Sequence, residues 1–255
     1  MQIAASLGRF TLYRLQVLGR TGIFLFISLS QAFIPPFRFQ RLLKEIEFIG
    51  SKSFLIIFVT ALFTGMVLGI QGYYSLSQFG AEAALGVMVA LSIIRELGPV
   101  LCALMVTGRA GSAITAEIGI MKITDQFPAL EMMAVDPMKY VISPKIIAGI
   151  ICLPLLTAFF DLVGIAGGYL VGVKLLGVNE GAYIGKMVAA VTAADIYGGI
   201  IKSLCFGLLI TWIATFMGFT AKATTEGVSK ATTNTVVLTS VSILVVDYIL
   251  TSLLL

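Results

Sequence analysis

The sequence predicts an all-α integral membrane protein: an N-terminal interfacial or re-entrant elbow helix, five transmembrane helices, and a cytoplasmic docking helix between the second and third spans. Three observations support this fold class. Of the 255 residues, 58% are hydrophobic and 12% are charged, about half the charged fraction of a soluble domain. The apolar runs are long and continuous, which favours helices over a β-barrel. The basic residues are concentrated in alternate loops, as in multi-pass proteins.

The elbow prediction rests on an apolar run of 17 residues, Thr21–Phe37, with basic residues on both sides. This length is at the lower limit for a transmembrane helix, and positive charge at both ends favours keeping both ends in the cytoplasm. Pro35 and Pro36 interrupt the helix near its end. We therefore predict an interfacial or re-entrant elbow within residues 1–50, with a true span as the alternative. The amphipathic stretch Phe39–Gly50 is predicted to lie at the membrane surface.

Five further apolar segments are long enough to cross a bilayer as helices. The predicted spans are Ser53–Tyr74, Ala83–Thr107, Ile146–Val173, Tyr197–Phe219 and Val236–Leu255. Between the last two, the Ser- and Thr-rich stretch Thr224–Thr235 is predicted to be a polar cytoplasmic loop. Neither an internal repeat nor a low-complexity linker divides the chain, so residues 1–255 are predicted to form one domain.

The orientation follows from the basic residues. Thirteen of the 17 Lys and Arg residues fall in the stretches 1–52, 109–145 and 220–235, whereas 75–82 and 174–196 together hold two. Because basic residues are retained on the cytoplasmic side, the first three stretches are predicted to be cytoplasmic. The N-terminus is then cytoplasmic and the C-terminus periplasmic.

Several ionisable residues lie within the predicted spans. They are Arg95, Glu96, Asp161, Lys202 and Asp247. Each costs roughly 2.5–3.5 kcal/mol near the centre of a bilayer on insertion scales, so they are expected to face a cavity or a partner. One interpretation is a polar site for a lipid headgroup or another amphiphile. The other is structural pairing, of Arg95 with Glu96 or Asp247 and of Lys202 with an acid on a neighbouring span. The nearby Pro99 is expected to bend or open the helix.

Glycines recur at four-residue spacing in two of the spans. Gly65 and Gly69 form one GxxxG pattern, and Gly164, Gly168 and Gly172 form a double one. Such glycines allow helices to approach closely in a membrane. The pattern is compatible with packing inside one subunit or with a homodimer seam.

The segment from Gly108 to Pro137 is too polar to span a membrane. One helical face is marked by apolar residues spaced by four and three, namely Ile114, Ile118 and Met121. A second apolar patch follows Pro128, at Ala129, Met132 and Met133. We predict a cytoplasmic segment, 109–137, that lies on lipid or docks in a partner's groove.

The composition argues against an enzyme. The chain contains no histidine, the commonest general base and metal ligand. Its three cysteines stand singly in apolar runs, which indicates neither a disulfide framework nor a zinc site. The phosphate-binding pattern GxxxxGK[ST] is absent, and so is a basic-aromatic pattern for nucleic acid. We expect a non-catalytic protein, with no metal and no cofactor held by this chain.

Long stretches of the chain resemble one known family. RELGPVLCALMVTGRAGSAITAEIGIMKITDQFPALEMMAVDPMKYVISPKIIA, which begins at Arg95, is similar to the signature region of the MlaE/YrbE-type ABC transporter permeases. The later stretches IKSLCFGLLITW, GVSKATTNTVV and VVDYILT are also similar to that family. The resemblance covers nearly the whole chain.

The resemblance implies the membrane subunit of a phospholipid-trafficking ABC transporter in a bacterial inner membrane, supporting outer-membrane lipid asymmetry. Two copies would form a homodimer, with the lipid site between them. A separate MlaF-like ATPase, which binds the ATP and Mg, would dock on the coupling helix Ala116–Met133 of each copy. A periplasmic MlaD-like MCE-domain protein would form a ring above the dimer, and an MlaB-like STAS-domain protein would bind the ATPase. Closure of the ATPases would rock the coupling helices and squeeze the lipid site.

Two sets of functional residues follow from the resemblance. The polar lipid-binding positions are Arg95, Glu96, Lys202 and Asp247, to which we add Leu68, Phe79 and Leu97 as apolar contacts to acyl chains. The ATPase-coupling positions are Glu117, Lys122, Asp125, Gln126, Phe127 and Glu131. Asp125 departs from the family, which often has Glu at that position; the charge is kept on a shorter side chain.

Two other classes of function remain open on the sequence. An ion- or proton-coupled carrier would use Glu96 and Asp247 as a relay and would transport without an ATPase. An integral-membrane lipid enzyme would need a catalytic cluster, which a chain without histidine makes difficult to assemble. Transport or turnover by the isolated chain would distinguish these classes from an ABC permease.

Overall fold

The computed structural model describes residue 16, residues 19–31 and residues 39–254, and these residues form helices joined by short turns without any strand. Residues 19–31 form α1. The following helices are α2 (Phe39–Ile49), α3 (Phe54–Ser77), α4 (Leu85–Ser92), α5 (Gly98–Val106), α6 (Ser112–Ile123), α7 (Gln126–Met132), α8 (Ser143–Tyr169), α9 (Glu180–Ala190), α10 (Ala193–Thr220) and α11 (Thr225–Leu254). Most of the predicted elbow run is helical, but Pro35 and Pro36 lie outside the described residues.

Five helical stretches among the described residues are long and apolar enough to cross a membrane. They are Phe39–Ser77, Glu82–Ile123, Met138–Leu175, Ala193–Thr220 and Thr225–Leu254. Each contains one predicted span, except that Leu255 at the end of the last one lies outside the described residues, so the prediction of five spans is confirmed at this level. At the centre, α8 packs against α2, α3, α5 and α10.

The glycine pattern brings α3 and α8 together within one subunit. A Cβ atom on Gly65 would overlap the carbonyl oxygen of Gly164, and one on Gly69 would lie 3.2 Å from the carbonyl oxygen of Gly168. A Cβ atom on Gly172 would meet Leu85 of α4 at 2.7 Å. Packing inside one subunit therefore accounts for all five glycines.

The second span is longer than predicted, and its helix is not broken at Pro99. Two π-helical turns, Ile93–Leu97 and Thr107–Gly111, join α4, α5 and α6 into one continuous rod. Pro99 lies in the first turn of α5, after the wider π turn. A π turn is one of the few local features that change the direction of a helix axis without ending the helix.

The predicted single coupling helix Ala116–Met133 is wrong. The helix ends at Ile123, and Asp125 has a left-handed backbone with φ 51° before α7 begins. The face at Ile114 and Ile118 is fully buried within the chain, against α10 and α11, and is therefore unavailable to lipid or to a partner. Only the second patch is exposed: the exposed fractions of Met132 and Met133 are 84% and 64%.

The predicted loop Thr224–Thr235 is also wrong, because α11 begins at Thr225. Val228, Ala231 and Thr235 recur every three or four residues and are buried. The hydroxyl groups of Thr235 and Thr115 lie 3.0 Å apart, joining α11 to α6. A polar sequence thus forms a helix here because its small residues pack against α6.

Candidate functional site

Three helical segments meet at one end of the bundle and carry four of the five ionisable residues that lie in the predicted spans. Arg95 and Glu96 stand on the π turn Ile93–Leu97, Lys202 stands on α10, and Asp247 stands near the end of α11. The structure therefore brings together all four polar residues predicted for the lipid site.

Lys202 is the centre of this cluster, and its side chain is only 3% exposed. Its Nζ atom lies 2.7 Å from an oxygen of Glu96 and 3.2 Å from one of Asp247. It also donates to the hydroxyl oxygen of Thr251 at 2.7 Å. The pairing of Lys202 with acids on neighbouring spans, predicted as the structural interpretation, is confirmed. One cation holds two carboxylates on two different helices.

Lys202 has a fourth partner, the backbone carbonyl of Arg95, and Pro99 explains why this carbonyl is available. In a regular helix the N–H of residue 99 would donate to the carbonyl of Arg95, but proline has no N–H. That carbonyl oxygen accepts a hydrogen bond from Lys202 at 2.9 Å instead. The proline therefore leaves an acceptor that a neighbouring helix satisfies, as buried backbone groups require.

Arg95 has a different partner from the two that were predicted. Its Nε atom lies 2.7 Å from Oδ1 of Asp195, at the start of α10. Adjacent residues point about 100° apart on a helix, so Arg95 and Glu96 face different neighbours and cannot form the predicted pair. The Arg95 side chain is 40% exposed and keeps donors for a ligand.

Asp195 was missed by the sequence analysis. Its second oxygen, Oδ2, accepts 2.8 Å hydrogen bonds from the backbone N–H and the hydroxyl of Thr192, so the carboxylate caps α10. The spacing of Thr192 and Asp195 is the capping-box pattern, which could have located this helix start. Thr251 was also missed, although it lies one helical turn after Asp247 on the same face.

A cavity of about 270 Å³ opens beside this cluster. Its charged lining consists of Arg95, Glu96, Asp195 and Lys202, and Ile201 and Leu254 are among its apolar lining. Ligand pockets for whole molecules usually range from about 300 to 1,000 Å³. A polar region beside apolar walls in this volume suits the headgroup end of an amphiphile, with the chains left outside.

The three predicted apolar contacts do not line this cavity. Leu97 lies on the same π turn and is half-buried. Leu68 packs against the core from α3, and Phe79, in the turn after α3, is 83% exposed. Asp161 also stands apart: it faces Gly98 from α8, and its buried Oδ1 has no hydrogen-bond partner among the described residues.

The opposite end of the bundle carries the predicted coupling residues. Lys122 donates 2.9 Å hydrogen bonds to the carbonyls of Phe219 and Ala221, which holds the end of α6 on the end of α10. The ring of Phe127 packs edge-on against that of Phe219, with centroids 5.6 Å apart.

A groove of about 440 Å³ gathers four of the six predicted coupling residues. They are Lys122, Asp125, Phe127 and Glu131. Of the other two, Gln126 donates to the hydroxyl of Thr124 at 3.0 Å, and Glu117 pairs with the buried Lys145 at 2.8 Å. Over the described ranges, no group of three Cys, Asp or Glu side chains is placed to hold a metal ion.

Fold and site define a class: a multi-pass helical membrane protein with a charged, partly enclosed cavity between its spans. Residues 42–253 match the family described as Permease MlaE. The chain is 48% identical over 252 residues to the intermembrane phospholipid transport system permease protein MlaE of Haemophilus influenzae, covering 98% of this chain and 96% of that protein. The chain belongs to the MlaE permease family.

More distant relatives extend this similarity. A probable ABC transporter permease protein of Rickettsia bellii is 39% identical over 99% of this chain and 98% of its own length. The chloroplastic protein TRIGALACTOSYLDIACYLGLYCEROL 1 of Arabidopsis thaliana is 33% identical over 84% of this chain and 61% of its own length. The similarity therefore includes nearly the whole helical bundle.

Proposed function

We propose that this chain is the membrane subunit of an ABC transporter that moves phospholipids between the inner membrane and a periplasmic MCE-domain protein. The observation that carries the proposal is membership of the MlaE permease family over residues 42–253. The name of the Haemophilus influenzae relative states intermembrane phospholipid transport. The charged cavity beside Lys202 supplies a site with the right chemistry for a headgroup.

The lipid would enter the cavity headgroup first. The partly exposed guanidinium of Arg95 would bind the phosphate, because arginine offers several donors in a fixed plane. The three N–H donors of Lys202 are already used by Glu96, Thr251 and the carbonyl of Arg95, with Asp247 as a further ion-pair contact. The role of Lys202 is therefore to hold the three walls of the cavity together. The acyl chains would lie outside, toward the apolar face of α11.

The opposite end would receive the ATPase, which binds the ATP and Mg. Its docking surface would be the groove at Lys122, Asp125, Phe127 and Glu131, together with the exposed Met132. The hydrogen bonds of Lys122 to the end of α10 give a mechanical connection. A push on α7 would pass along α6 and α10, whose other end carries Lys202 and Asp195.

The assembly would be a homodimer in the inner membrane, with the N-terminus cytoplasmic, the C-terminus periplasmic and the elbow at the inner surface. The positive-inside distribution supports this orientation. On α11, Leu244, Val245 and Tyr248 leave a large apolar face exposed, which a second copy or lipid would cover. An MlaD-like MCE ring would sit at the periplasmic end, and an MlaB-like STAS protein would bind the ATPase.

The test is ATP-dependent phospholipid transfer from proteoliposomes to a purified MCE-domain protein. The complex purified through a tag on this chain should transfer lipid with ATP and stop when the ATPase is inactivated. The isolated chain should transfer none. Transport by the isolated chain, driven by an ion or proton gradient, would instead support the carrier that uses Glu96 and Asp247.

A further inference from the structure

A second cavity, of about 740 Å³, lies at the end of the bundle that faces away from Lys202. It lies between α2, Glu117 of α6 and Tyr140. Glu117 precedes Lys122 by little more than one helical turn, and Lys122 binds the end of α10 at Phe219. Asp195 and Phe219 are separated by about 36 Å along α10 at 1.5 Å per residue. The two cavities are therefore separate sites.

The helix that forms one wall of this cavity is amphipathic. Phe39 and Leu43 are one helical turn apart and are 68% and 62% exposed. Arg41 and Lys44 of the same helix line the cavity. A short helix with an exposed apolar stripe beside basic residues is typical of a segment that lies in the membrane interface.

The acidic residues of the cavity are already paired. Lys145 is fully buried, and its Nζ atom lies 2.9 Å from Glu45 and 2.8 Å from Glu117. Two carboxylates thus share one buried cation. With Arg41 and Lys44 added, three cations face two carboxylates, so this cluster has a net charge of +1.

Arg41 is held in place but has an unused donor. Its guanidinium carbon lies 4.1 Å from the centroid of the Tyr140 ring, a stacking arrangement that fixes the plane of the group. Its Nε atom is shielded from solvent and has no hydrogen-bond partner among the described residues. Because buried donors are nearly always satisfied, this N–H is available to an acceptor other than the described residues.

We propose that this cavity binds the phosphate of an anionic phospholipid, with the lipid's acyl chains along the Phe39–Leu43 stripe. The fixed guanidinium of Arg41 donates to the phosphate, and Lys44 adds a second positive charge. The net positive charge favours an anionic headgroup over a zwitterionic one. The assignment of this lipid to the cytoplasmic leaflet rests on the orientation proposed above, whereas the anion site does not.

The consequence is a lipid contact next to the coupling segment. Lys145 joins α2 to α6 through Glu45 and Glu117, and α6 leads to the groove at Lys122. A lipid bound between these elements would fix α2 against the part of the protein that we assign to ATPase docking.

The site can be tested by photocrosslinking in the assembled complex. A photoactivatable phosphatidylglycerol is added below saturation to complex in phosphatidylcholine nanodiscs, and crosslinked peptides are identified by mass spectrometry. We expect labelling of the peptide that contains α2. In Arg41→Gln the labelling should fall about tenfold, as for loss of one charge-assisted hydrogen bond. In Lys44→Gln, which alters an exposed side chain and preserves folding, the labelling should also fall.

Lys52→Gln is the matched control, because Lys52 is a nearby exposed cation that does not line the cavity. It should label like the unmodified chain, and excess inorganic phosphate should not compete. Equal labelling by a phosphatidylcholine probe, or equal loss in Lys52→Gln, would overturn the proposal in favour of nonspecific surface charge. Displacement by inorganic phosphate would also overturn it, in favour of a free-anion site. Neither result depends on whether the complex transports lipid.

Discussion

The ammonium group of Lys202 lies 2.7 Å from a carboxylate oxygen of Glu96, on a helix that is distant in sequence. The same ammonium reaches Asp247 at 3.2 Å. Three spans are therefore joined through one buried cation at the candidate lipid site. The geometry of that site should depend on this cation more than on any other side chain of the cluster.

Replacing Lys202 with Met should leave two carboxylates without their buried partner. Breaking a fully buried ion pair from one side typically costs about 3–5 kcal/mol. Because the side chains of Glu96 and Asp247 are 38% and 18% exposed, the cost should fall below that range, and thermal unfolding should still occur at a lower temperature. Lys186→Met, at an exposed position on α9, is the control and should unfold like the original chain. An unchanged unfolding temperature in Lys202→Met would show that the cluster does not stabilise the bundle.

Pro99→Ala should restore a backbone N–H that competes with Lys202 for the carbonyl oxygen of Arg95. We expect stability to be kept or slightly increased, because alanine is a better helix former than proline, although proline is tolerated in the first turn of a helix, where Pro99 lies. Lipid transfer should nevertheless fall, because Lys202 loses one of its four partners.

Pro154→Ala, inside α8, serves as the control for Pro99→Ala, since it changes a helix proline away from the cavity. The measurement is ATP-dependent transfer beside a melting curve for each variant. If Pro99→Ala transfers lipid at the original rate, the hydrogen bond from Lys202 to the carbonyl of Arg95 has no role in the site.

Gly65→Ala should disrupt the contact between α3 and α8, since the new methyl group would overlap the backbone of Gly164. Overpacking of this kind typically costs about 1–3 kcal/mol, and a backbone atom cannot move aside as a flexible side chain can. Gly108→Ala has open space around its Cβ position and should be tolerated. Equal yields of folded protein from the two variants would argue against close packing at this seam.

Glu131→Lys should weaken the binding of the ATPase subunit without altering the fold, because Glu131 is exposed and lines the groove. We expect the amount of ATPase that copurifies to fall about tenfold, as for a reversed charge at an interface. Glu180→Lys, at the other end of the bundle, makes the same charge change and should copurify normally. A normal amount of ATPase with Glu131→Lys would remove this groove as the docking surface.

The spans could be predicted from the sequence because length and hydropathy alone determine them. The ends of the helices could not be predicted in this way, because they depend on which other helices of the chain they pack against. Thr225–Thr235 is polar, yet it is helical because Val228 and Thr235 pack on α6. Ile114 and Ile118 form an apolar stripe in the sequence, but only the packed structure shows that α10 and α11 cover it.

The sequence was enough to predict which charged residues belong to the candidate site, but not which of them pair with each other. Charged residues inside spans are conspicuous, so Arg95, Glu96, Lys202 and Asp247 could be found by inspection. The partner of Arg95 could not, because Asp195 lies 100 residues away in the sequence, at a helix start, where an acid is ordinary. The four-residue spacing of the glycines was compatible with packing inside one subunit or with a homodimer interface. Only the close approach of Gly65 to Gly164 within the chain distinguishes the two.

The most direct measurement is lipid crosslinking from Tyr197, which lines the cavity beside Lys202. A photoreactive amino acid is placed there in the assembled complex, and at the exposed Tyr248 of α11 for comparison. We expect phospholipid crosslinks from position 197 that fall when the ATPase is trapped with ATP and vanadate and when Arg95 is changed to Gln. Crosslinks from position 248 should not respond to Arg95→Gln. If crosslinking from position 197 is unaffected by trapping the ATPase and by Arg95→Gln, a headgroup site in this cavity is contradicted.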